Sequence, residues 1–421
     1  MIETNFIDTE IGCVPADWKV VSLGEIGRFS KGKGISRTES NTGMIPAIRY
    51  GEIYTTHNDY IKSFTSHISE EIAKSSRKLT YGDILFTASG ETKEDIGKAV
   101  AFAINDCEAY AGGDIIIFSS SIDIDPIFFG FLLNTKIVVE QRASKAQGDA
   151  VVHITTDSIK SLKLPLPPLP EQRRIASALS SIDNLISALD KLIEKKCAIK
   201  TGTMQELLGG KRRVKECEGE WKSVTIEELF DFGNGYTPSK AISDFWINGT
   251  IPWFRMEDIR SNGRILSDSI QHITPEAVKG SGLFPANSII LSTTATIGEH
   301  ALITVDSLAN QQFTFLMRKV KRENDIDMMF FFHYCFILGD WCRANINDGG
   351  LMAVNISDLK AHQIYIPSDI SEQRAIASVL TAMDDELAAL EAKKAKYVAL
   401  KQGMMQQLLT GKIRLIDCSA K

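Results

Sequence analysis

The sequence predicts an α/β (α+β) protein built as two similar halves, each an α/β module followed by one long helix. The chain has 421 residues, more than one ordinary core holds. A segment that starts at Glu171 recurs 201 residues later, and both copies carry the apolar periodicity of helices that pair. Two matched seams in one chain favour an antiparallel intramolecular coiled coil with a pseudo-twofold internal repeat.

The repeat is strongest in the two predicted helices. About half the positions are identical between residues 171–213 and 372–414, and both copies begin with Glu-Gln-Arg and finish with Gly-Lys and a basic tail. Upstream, "DWKVVSLGEI" from Asp17 matches "EWKSVTIEEL" from Glu220 more thinly. The two helices have therefore remained similar in sequence, whereas the two modules have diverged. The predicted boundaries are a first module at 1–170, a central helix at 171–213, a second module at 214–371, and a C-terminal helix with its tail at 372–421.

The register of each helix is set by apolar residues spaced alternately four and three positions apart. The predicted pairing residues are Ile175, Leu179, Ile182, Ile186, Leu189 and Ile193 in the first helix, and Ile376, Leu380, Met383, Leu387 and Leu390 in the second. Glycines at Gly210 and Gly411 predict the helix ends. Gly202 and Gly403 lie inside the helices, where each glycine destabilises the helix by about 1 kcal/mol relative to alanine. These internal glycines predict close approach of a neighbouring backbone.

The charge is unevenly distributed along the chain. The whole chain carries −6 at pH 7, with −5 in residues 1–170 and −7 in residues 214–371. The helical segments are basic, with +4 in residues 171–213 and +2 in residues 372–421. A polyanion would therefore be held by local patches or with the help of a partner.

Cysteine usage and hydropathy indicate the compartment. Seven scattered cysteines without a C-x-x-C pair favour reduced thiols over disulfides or a zinc site. The most apolar runs, at 127–139 and 328–338, fall short of the roughly 20 residues that a membrane span needs and predict buried helices. The acidic start has no apolar stretch typical of a secretory signal. We expect a cytoplasmic protein without membrane association.

Catalytic motifs are scarce. The chain has no phosphate-binding loop, H-E-x-x-H, G-x-S-x-G or EF-hand pattern, and no aromatic-flanked Asn-Pro-Pro or Asp-Pro-Pro segment. A nuclease-like spacing joins Asp83, Glu91 and Lys93, whose carboxylates would hold Mg²⁺. A surface turn explains the same residues, and the second module lacks the pattern. We expect no catalytic residue and no metal site, with the Mg-dependent nuclease as the weaker alternative.

The loops of both modules carry side chains suited to nucleic acid. Cations neutralise phosphates, and amides, arginines and aromatic rings read or stack on bases. The candidate DNA-binding residues are Arg28, Lys31, Lys33, Arg37, Arg49, Lys93, Lys145 and Gln147 in the first module, and Asn234, Tyr236, Thr237, Lys240, Arg255, Arg260 and Asn347 in the second. Arg49 and Arg255 follow equivalent Ile-Pro segments, and arginine is the commonest bidentate reader of guanine. For each residue, an ordinary solvated loop is the alternative.

The doubled "EQRRIAS…MQELLGGKRR" and "EQRAIAS…MQQLLTGKIR" resemble the specificity (HsdS) subunit of type I restriction–modification systems, and the resemblance covers the whole chain. It implies a non-catalytic subunit that binds double-stranded DNA. Each module would be a target recognition domain for one half of a bipartite site, and the helices would set the spacer.

The resemblance also implies partners. Two methyltransferase (HsdM) subunits carrying S-adenosylmethionine would dock at the helices, and restriction (HsdR) subunits carrying ATP and Mg²⁺ would join through them. No cofactor is therefore expected on this chain. The target adenine would be flipped into the partner's pocket. The candidate docking residues are Gln172, Arg173, Gln205, Gln373, Arg374 and Gln406.

The divergence of the two modules bears on the target. Because the modules differ in loops and charge, their half-sites should differ, and the full target should not be a palindrome. A helical scaffold whose modules bind something other than DNA is the alternative.

Overall fold

The chain forms two compact units in a computed structural model. The structure describes residues 5–148, 151–214, 217, 219–280, 282–347 and 352–416. Unit 1 contains Met1–Asp190 and Ala392–Lys421, and unit 2 contains Lys191–Glu391. Each unit therefore combines one module with part of each long helix.

The first module consists of short strands and short helices and leads directly into a long helix. Its strands are β1 (Phe6–Thr9), β2 (Gly12–Pro15), β3 (Lys19–Ser22), β4 (Gly27–Lys31), β5 (Ile45–Ile48), β6 (Ser66–Ile68), β7 (Arg77–Lys78), β8 (Ile84–Thr87), β9 (Ser89–Gly90), β10 (Ala99–Ala101), β11 (Tyr110–Ala111), β12 (Ile115–Ser120), β13 (Val152–His153) and β14 (Lys163–Leu166). Its helices are α1 (Leu23–Ile26), α2 (Tyr50–Thr55), α3 (Glu70–Ser75), α4 (Pro126–Leu133), α5 (Lys136–Ser144) and α6 (Thr156–Lys160), followed by α7 (Leu169–Leu208).

The second module has the same kind of content and leads into the second long helix. Its strands are β15 (Trp221–Thr225), β16 (Phe230–Asn234), β17 (Ile251–Phe254), β18 (Ile265–Leu266), β19 (His272–Ile273), β20 (Ser288–Ser292), β21 (His300–Ile303), β22 (Leu308–Ala309), β23 (Phe313–Arg318), β24 (Ile346–Asn347), β25 (Ala353–Val354) and β26 (Gln363–Pro367). Its helices are α8 (Ile226–Leu229), α9 (Met256–Asn262), α10 (Met328–Ala344) and α11 (Ile356–Ala361), followed by α12 (Ile370–Leu408), with 3₁₀ turns at Ser243–Phe245, Pro275–Ala277 and Val320–Arg322.

The two modules share a core topology, but the second has an additional strand, β18, parallel to β21, and none of its described strands corresponds to β7. The first has the antiparallel sheet β10-β8-β12-β4 and the mixed sheet β6-β5-β11-β7, in which β5 and β11 run parallel. The second has β16-β23-β20-β21-β18 and β19-β17-β22, in which β17 and β22 run parallel. The pairs β3–β14 and β15–β26 join the start of each module to its end. The predicted fold class, two α/β modules with two long helices, is confirmed.

The two apolar runs are buried helices, as expected, but the first is interrupted. The run at 328–338 lies in α10, which is largely buried. The run at 127–139 is divided between α4 and α5, because Asn134 donates side-chain hydrogen bonds to the carbonyls of Ala99 (2.8 Å) and Gly130 (3.1 Å). Within the described parts of the chain, none of the helices has the length and apolarity needed to cross a membrane.

The long helices pair antiparallel inside each unit. In unit 1, Asp183 of α7 contacts Lys401 of α12 at 2.8 Å, and the later Asp190 contacts the earlier Lys394 at 2.5 Å. In unit 2, Lys196 contacts Glu386, and the later Lys200 contacts the earlier Asp384. The residues predicted for pairing are all buried or half-buried. Lysines replace apolar residues further along each seam. Lys200 and Lys401 lie on the same heptad positions as Ile193 and Leu387.

The expectation for the internal glycines is wrong within this chain. A Cβ atom added at Gly202 or Gly403 would meet no atom within 4 Å among the described residues. Both glycines are exposed. The described residues therefore leave open space beside both glycines. The glycines that end the helices do have a local cause, since Gly210 and Gly411 adopt φ of +67° and +70°.

Each unit is closed by a buried ionic clasp, which we define as a tryptophan, a glutamate and an arginine. In unit 1, Arg414 contacts Glu171 at 2.7 and 2.8 Å, and the indole of Trp18 donates to Glu171 at 3.1 Å. Arg414 also forms two hydrogen bonds with Asp17 at 2.7 and 2.8 Å. Glu171 is 1% exposed, so its charge depends on Arg414 for compensation.

The clasp of unit 2 repeats the same chemistry. Arg213 forms a bidentate contact with Glu372, which is fully buried, and the indole of Trp221 donates to Glu372 at 3.4 Å. The arginine comes from the segment that follows α7, and the glutamate comes from the start of α12. The clasp therefore ties the second module to both long helices.

The glutamines of the repeated motif hold the modules to the helix starts. Gln172 accepts from the amide of Asp125 at 3.0 Å and donates to the carbonyl of Pro167 at 2.8 Å. Gln373 makes the matching bonds with Asp327 (2.8 Å) and Pro367 (2.9 Å). Asp125 and Asp327 are the N-cap residues of α4 and α10. Each glutamine thus fixes the start of the main buried helix of its module.

Unit 2 has two buried histidines that unit 1 does not match at equivalent places. His333 lies six residues after the N-cap of α10, where α4 has Phe131. Its Nε2 lies 3.0 Å from Thr381 Oγ1, and its Nδ1 has no hydrogen-bond partner among the described residues. Burial lowers the pKa of His333 to about 4 and that of His300 to about 3. Both side chains are therefore neutral at neutral pH.

Breaking one clasp should strongly destabilise the fold. Replacing Arg414 by methionine leaves Glu171 charged and buried, and we expect the free energy of unfolding to fall by about 3 kcal/mol. The double variant Glu171→Gln/Arg414→Met should recover much of this loss, because no isolated charge remains. Urea unfolding followed by circular dichroism measures both. Lys196→Met, which breaks the more exposed pair with Glu386, is the control and should cost about 1 kcal/mol or less. A double variant no more stable than Arg414→Met would contradict this account.

The buried histidines should make stability depend on pH. Their folded-state pKa values are lowered, so the unfolded state takes up protons first, and stability falls as the pH drops from about 6.5 towards 4. We expect His333→Phe, which installs the residue of the first module, to reduce the slope in this window by about 1 kcal/mol per pH unit. Urea unfolding from pH 4 to pH 8 measures the slope. The exposed His153→Gln is the control, and an unchanged slope in His333→Phe would refute the assignment.

Candidate nucleic-acid interface

Each module has an open cleft beside the helix that follows its Ile-Pro strand. In the first module, the cleft measures about 740 Å³ and lies between α2 and the segment after β8, with Val151 at its rim. Tyr54 of α2 lies 2.7 Å from Thr87 Oγ1 and donates to the carbonyl of Ser89 at 2.9 Å. Burial raises the pKa of Tyr54, so the phenol stays neutral. This first cleft is therefore lined by a fixed, uncharged tyrosine.

The second cleft occupies the equivalent place between α9 and the segment after β20. It measures about 850 Å³ and is lined by Met256, Ala295 and Met352, together with several arginines. Met352 is 67% exposed although it is apolar, and the rim residue of the first cleft, Val151, is 54% exposed. Exposed apolar side chains at a cleft are typical of a binding surface.

The arginines of the second cleft differ in whether their side chains are already bonded to other residues of the module. Arg264 donates to Glu299 at 2.6 Å and to the carbonyl of His300 at 3.1 Å. Arg343 donates to Asp340 at 2.6 Å and to the carbonyl of Ile297 at 3.2 Å. These two are held by the fold.

The third cleft arginine, Arg260, is exposed in the last turn of α9. It has no hydrogen-bond or ion-pair partner within the described residues, and the cleft therefore presents one cation that the fold leaves available.

The two arginines after the Ile-Pro segments are partly committed to the fold. Arg49 is the N-cap residue of α2, and its Nε donates to Ser66 at 3.2 Å and contacts Glu52 at 3.4 Å. Arg255 is the N-cap residue of α9, and it contacts Glu257 at 3.0 Å and lies over the ring of Trp253. Both side chains are about 70% buried, which leaves part of each guanidinium for an external ligand.

The first basic cluster does not form one surface. Arg28 and Lys31 lie on the edge strand β4, three residues apart, so their side chains leave opposite faces of the sheet. Lys33 and Arg37 are exposed in the segment that follows. Arg37 and Arg49 line a further cleft of about 790 Å³ in the first module. The structure thus brings Arg37 to Arg49 and separates Arg28 from Lys31.

Among the candidates of the second module, Tyr236 and Thr237 have internal partners. The Tyr236 hydroxyl donates to the carbonyl of Ala277 at 3.2 Å and accepts from the amide of Lys279 at 2.7 Å. Thr237 bonds to Gln311. The candidates that remain exposed are Asn234, Lys240 and Asn347.

The remaining candidates of the first module lie on turns. Lys93 is exposed in the turn after β9, and Gln147 is exposed beside β13. Lys145 is half-buried as the C-cap residue of α5. The glycine-containing segments 143–153 and 344–355, which precede the long helices, lie partly outside the described residues.

The nuclease alternative is not supported by the geometry. Asp83 is 2% exposed, and its carboxylate accepts from the amide of Thr80 at 2.8 Å and from the hydroxyls of Thr80 and Ser119. Glu91 and Lys93 are exposed. The carboxylate of Asp83 therefore stabilises a buried turn by accepting these hydrogen bonds. No cluster of three or more metal-ligating side chains occurs among the described residues.

The candidate docking residues fall into two groups. Gln172 and Gln373 are buried and bonded within their units, and Arg374 contacts the N-cap Asp327 at 3.4 Å. Gln205 and Gln406 are exposed, each three residues after an exposed glycine on the same helix face. Arg173 is exposed beside the start of α7. The exposed group is thus the one available to a partner.

The sequence reasoning missed the clasp and the cleft walls. Trp18 and Trp221 were visible as matched residues, and the arginines of the basic tails repeat at the same offset as Glu171 and Glu372. That shared offset was a usable signal. The sequence carries no such signal for Met352, because the exposure of its side chain depends on the tertiary fold.

Comparison with known proteins identifies the repeat. The family model for the type I restriction modification DNA specificity domain matches residues 15–196 and 218–399. The type I restriction enzyme EcoprrI specificity subunit of Escherichia coli is 45% identical over 192 residues, which span 45% of this chain and 47% of that protein. The putative MjaX specificity subunit of Methanocaldococcus jannaschii is 27% identical over 98% of this chain and 97% of its own length.

Solved structures agree on the fold. The type I restriction-modification S subunit from M. genitalium has a TM-score of 0.60 at 13% identity, covering 93% of this chain and 96% of that one. A chain from a study of assembly and conformational transition of the type I R-M system has a TM-score of 0.58 at 16% identity, covering 95% and 99%. The family model matches both halves of the sequence, and the same core topology is found in both modules. The chain therefore belongs to the type I restriction modification DNA specificity family.

Proposed function

We propose that this chain selects the DNA target of a type I restriction–modification complex. Each module reads one half of a bipartite site, and the two half-sites differ. The observation that supports this best is the pair of equivalent clefts, one in each module, with different side chains on the same framework. A framework kept twice with altered linings is what two different ligand sequences of one chemical class require.

The cleft chemistry favours DNA over a protein ligand. The first cleft offers the exposed hydroxyl of Tyr50, and the second offers the exposed guanidinium of Arg260. Hydrogen-bonding groups of this kind discriminate base edges in the major groove. A helical scaffold without DNA would not need two such linings.

We assign the docking of methyltransferase subunits to the exposed glycine–glutamine faces. Gly202 and Gln205 form one such face in unit 2, and Gly403 and Gln406 form the other in unit 1. A helix keeps an internal glycine at a cost of about 1 kcal/mol when another backbone must approach closely. Since no described residue of this chain approaches either glycine, both faces leave room for the backbone of a partner. Two equivalent faces fit two identical subunits.

The chemistry of modification and cleavage would reside on the partners. Methyltransferase subunits would supply S-adenosylmethionine and the adenine pocket, and restriction subunits would supply ATP and Mg²⁺. This chain would be the non-catalytic member of the complex and would work in the cytoplasm. Its acidic modules, at −5 and −7, fit an assembly in which partners share the neutralisation of phosphates.

Methylome sequencing tests the central proposal. Cells that express this chain with its methyltransferase should acquire adenine methylation at one bipartite motif whose halves are different sequences. Replacing residues 214–371 by the second module of another family member should change one half of the motif and leave the other. Identical inverted half-sites, or a change in both halves, would contradict the proposal.

The docking faces give a prediction in which stability and binding move in opposite directions. Gly202→Ala should raise the free energy of unfolding by about 1 kcal/mol, because the added methyl meets open space. The same methyl should hold the partner helix away and weaken methyltransferase binding at that face about tenfold or more. Native mass spectrometry should then show one bound methyltransferase where the wild type binds two.

The matched variant and control sharpen this test. Gly403→Ala should remove the other subunit, and the pair of substitutions should remove both. Lys195→Ala changes an exposed position of the same helix, seven residues or about 10 Å before Gly202, and should leave two subunits bound. Full occupancy by both glycine variants would refute the assignment of the faces.

A further inference from the structure

We propose that Arg260 reads a guanine in the second half-site and fixes that base of the target. The inference rests on the proposed function and deepens it, because it names the base class and the side chain. It follows from the partners of the second-cleft arginines, from the place of Arg260 on α9, and from the residue at the equivalent place in the first module.

Arg260 is the arginine of the second cleft that the fold leaves unused, as far as the described residues extend. Arg264 and Arg343 each make one carboxylate contact at 2.6 Å and one carbonyl contact. Arg255 caps α9 and contacts Glu257 at 3.0 Å. A ligand that engaged Arg264 or Arg343 would have to break these hydrogen bonds, and Arg255, whose buried Nε has no partner among the described residues, does not line the cleft. Arg260 can engage a ligand without such a loss.

The place of Arg260 suits a base edge. It lies in the last turn of α9, and its exposed side chain lines the cleft together with Met256 and the exposed Met352. An α-helix at a surface can enter the major groove, where guanine presents its N7 and O6 acceptors side by side. The planar guanidinium matches these two acceptors with parallel N–H donors, whereas adenine presents one acceptor and one donor. The chemistry therefore selects guanine.

The first module cannot make the same contact. Arg49 and Arg255 are the N-caps of α2 and α9, and five residues later the first module has Tyr54 where the second has Arg260. The Tyr54 hydroxyl is bonded to Thr87 and Ser89 inside the module. A guanine contact from this helix position is therefore a property of the second module alone, which gives a physical reason for unlike halves.

The test uses the complex of this chain with its methyltransferase and a duplex carrying the motif found by methylome sequencing. Each guanine of the second half-site, on either strand, is replaced singly by 7-deazaguanine, which lacks the N7 acceptor. At one position the wild-type affinity should fall by between about 5-fold and about 150-fold, which spans the discrimination of one bidentate pair. The complex with Arg260→Ala should bind the unmodified and the 7-deaza duplex at that position equally.

Two further variants separate base reading from charge. Lys321→Ala removes an equally exposed cation outside the cleft, and it should retain the full 7-deaza sensitivity of the wild type. Arg260→Gln should relax the requirement for guanine at the same position of the methylated motif, because glutamine pairs with adenine. All other positions of the motif should be unchanged.

The outcomes that overturn the inference differ from those that overturn the proposed function. A second half-site without guanine on either strand, tolerance of 7-deazaguanine at every position, or sensitivity that survives Arg260→Ala would each refute the role of Arg260. The proposed function would stand in all three cases, because a bipartite motif is still read. The absence of any bipartite motif would overturn the proposed function itself.

Discussion

The buried glutamate at the start of each long helix is the constraint on which the rest of the structure depends. Glu171 and Glu372 are almost completely buried, and each is matched by an arginine from the segment just after the other long helix. An isolated charge at either place would cost several kcal/mol. The helix start, the helix end and the tryptophan of the module must therefore assemble together in each unit.

This pairing explains why the helices resemble each other while the modules do not. Each helix contributes its start to one clasp and its end to the other, so a change in one motif must suit the opposite helix. Glu171 meets Arg414, and Glu372 meets Arg213. The lysine–aspartate contacts along the helices show the same reciprocal pairing of equivalent residues, since Lys401 contacts Asp183 and Lys200 contacts Asp384. The cleft residues are free of this coupling.

Much of the fold was predictable because its signals are local or repeated. The seam spacing and the terminal glycines follow from helix geometry, and the 201-residue offset exposes the duplication. The break between α4 and α5 was not predictable, since it depends on Asn134 reaching the carbonyl of Ala99 on a strand. The expectation for Gly202 was wrong within the described chain for a related reason, because the approach of a neighbour to a helix glycine depends on the tertiary fold.

The site was predictable in residue type and only partly in place. The sequence named Arg255 and Arg260 as candidates by residue type, but it does not show which arginines of the second module are bonded within the fold. Arg255 looks the stronger reader by its repeat with Arg49, yet both serve as N-caps with carboxylate partners. Arg260 has no repeated counterpart, because Tyr54 takes its place. In a protein whose modules diverge for recognition, the residue without a counterpart carries the specificity, and the residue with one carries the framework.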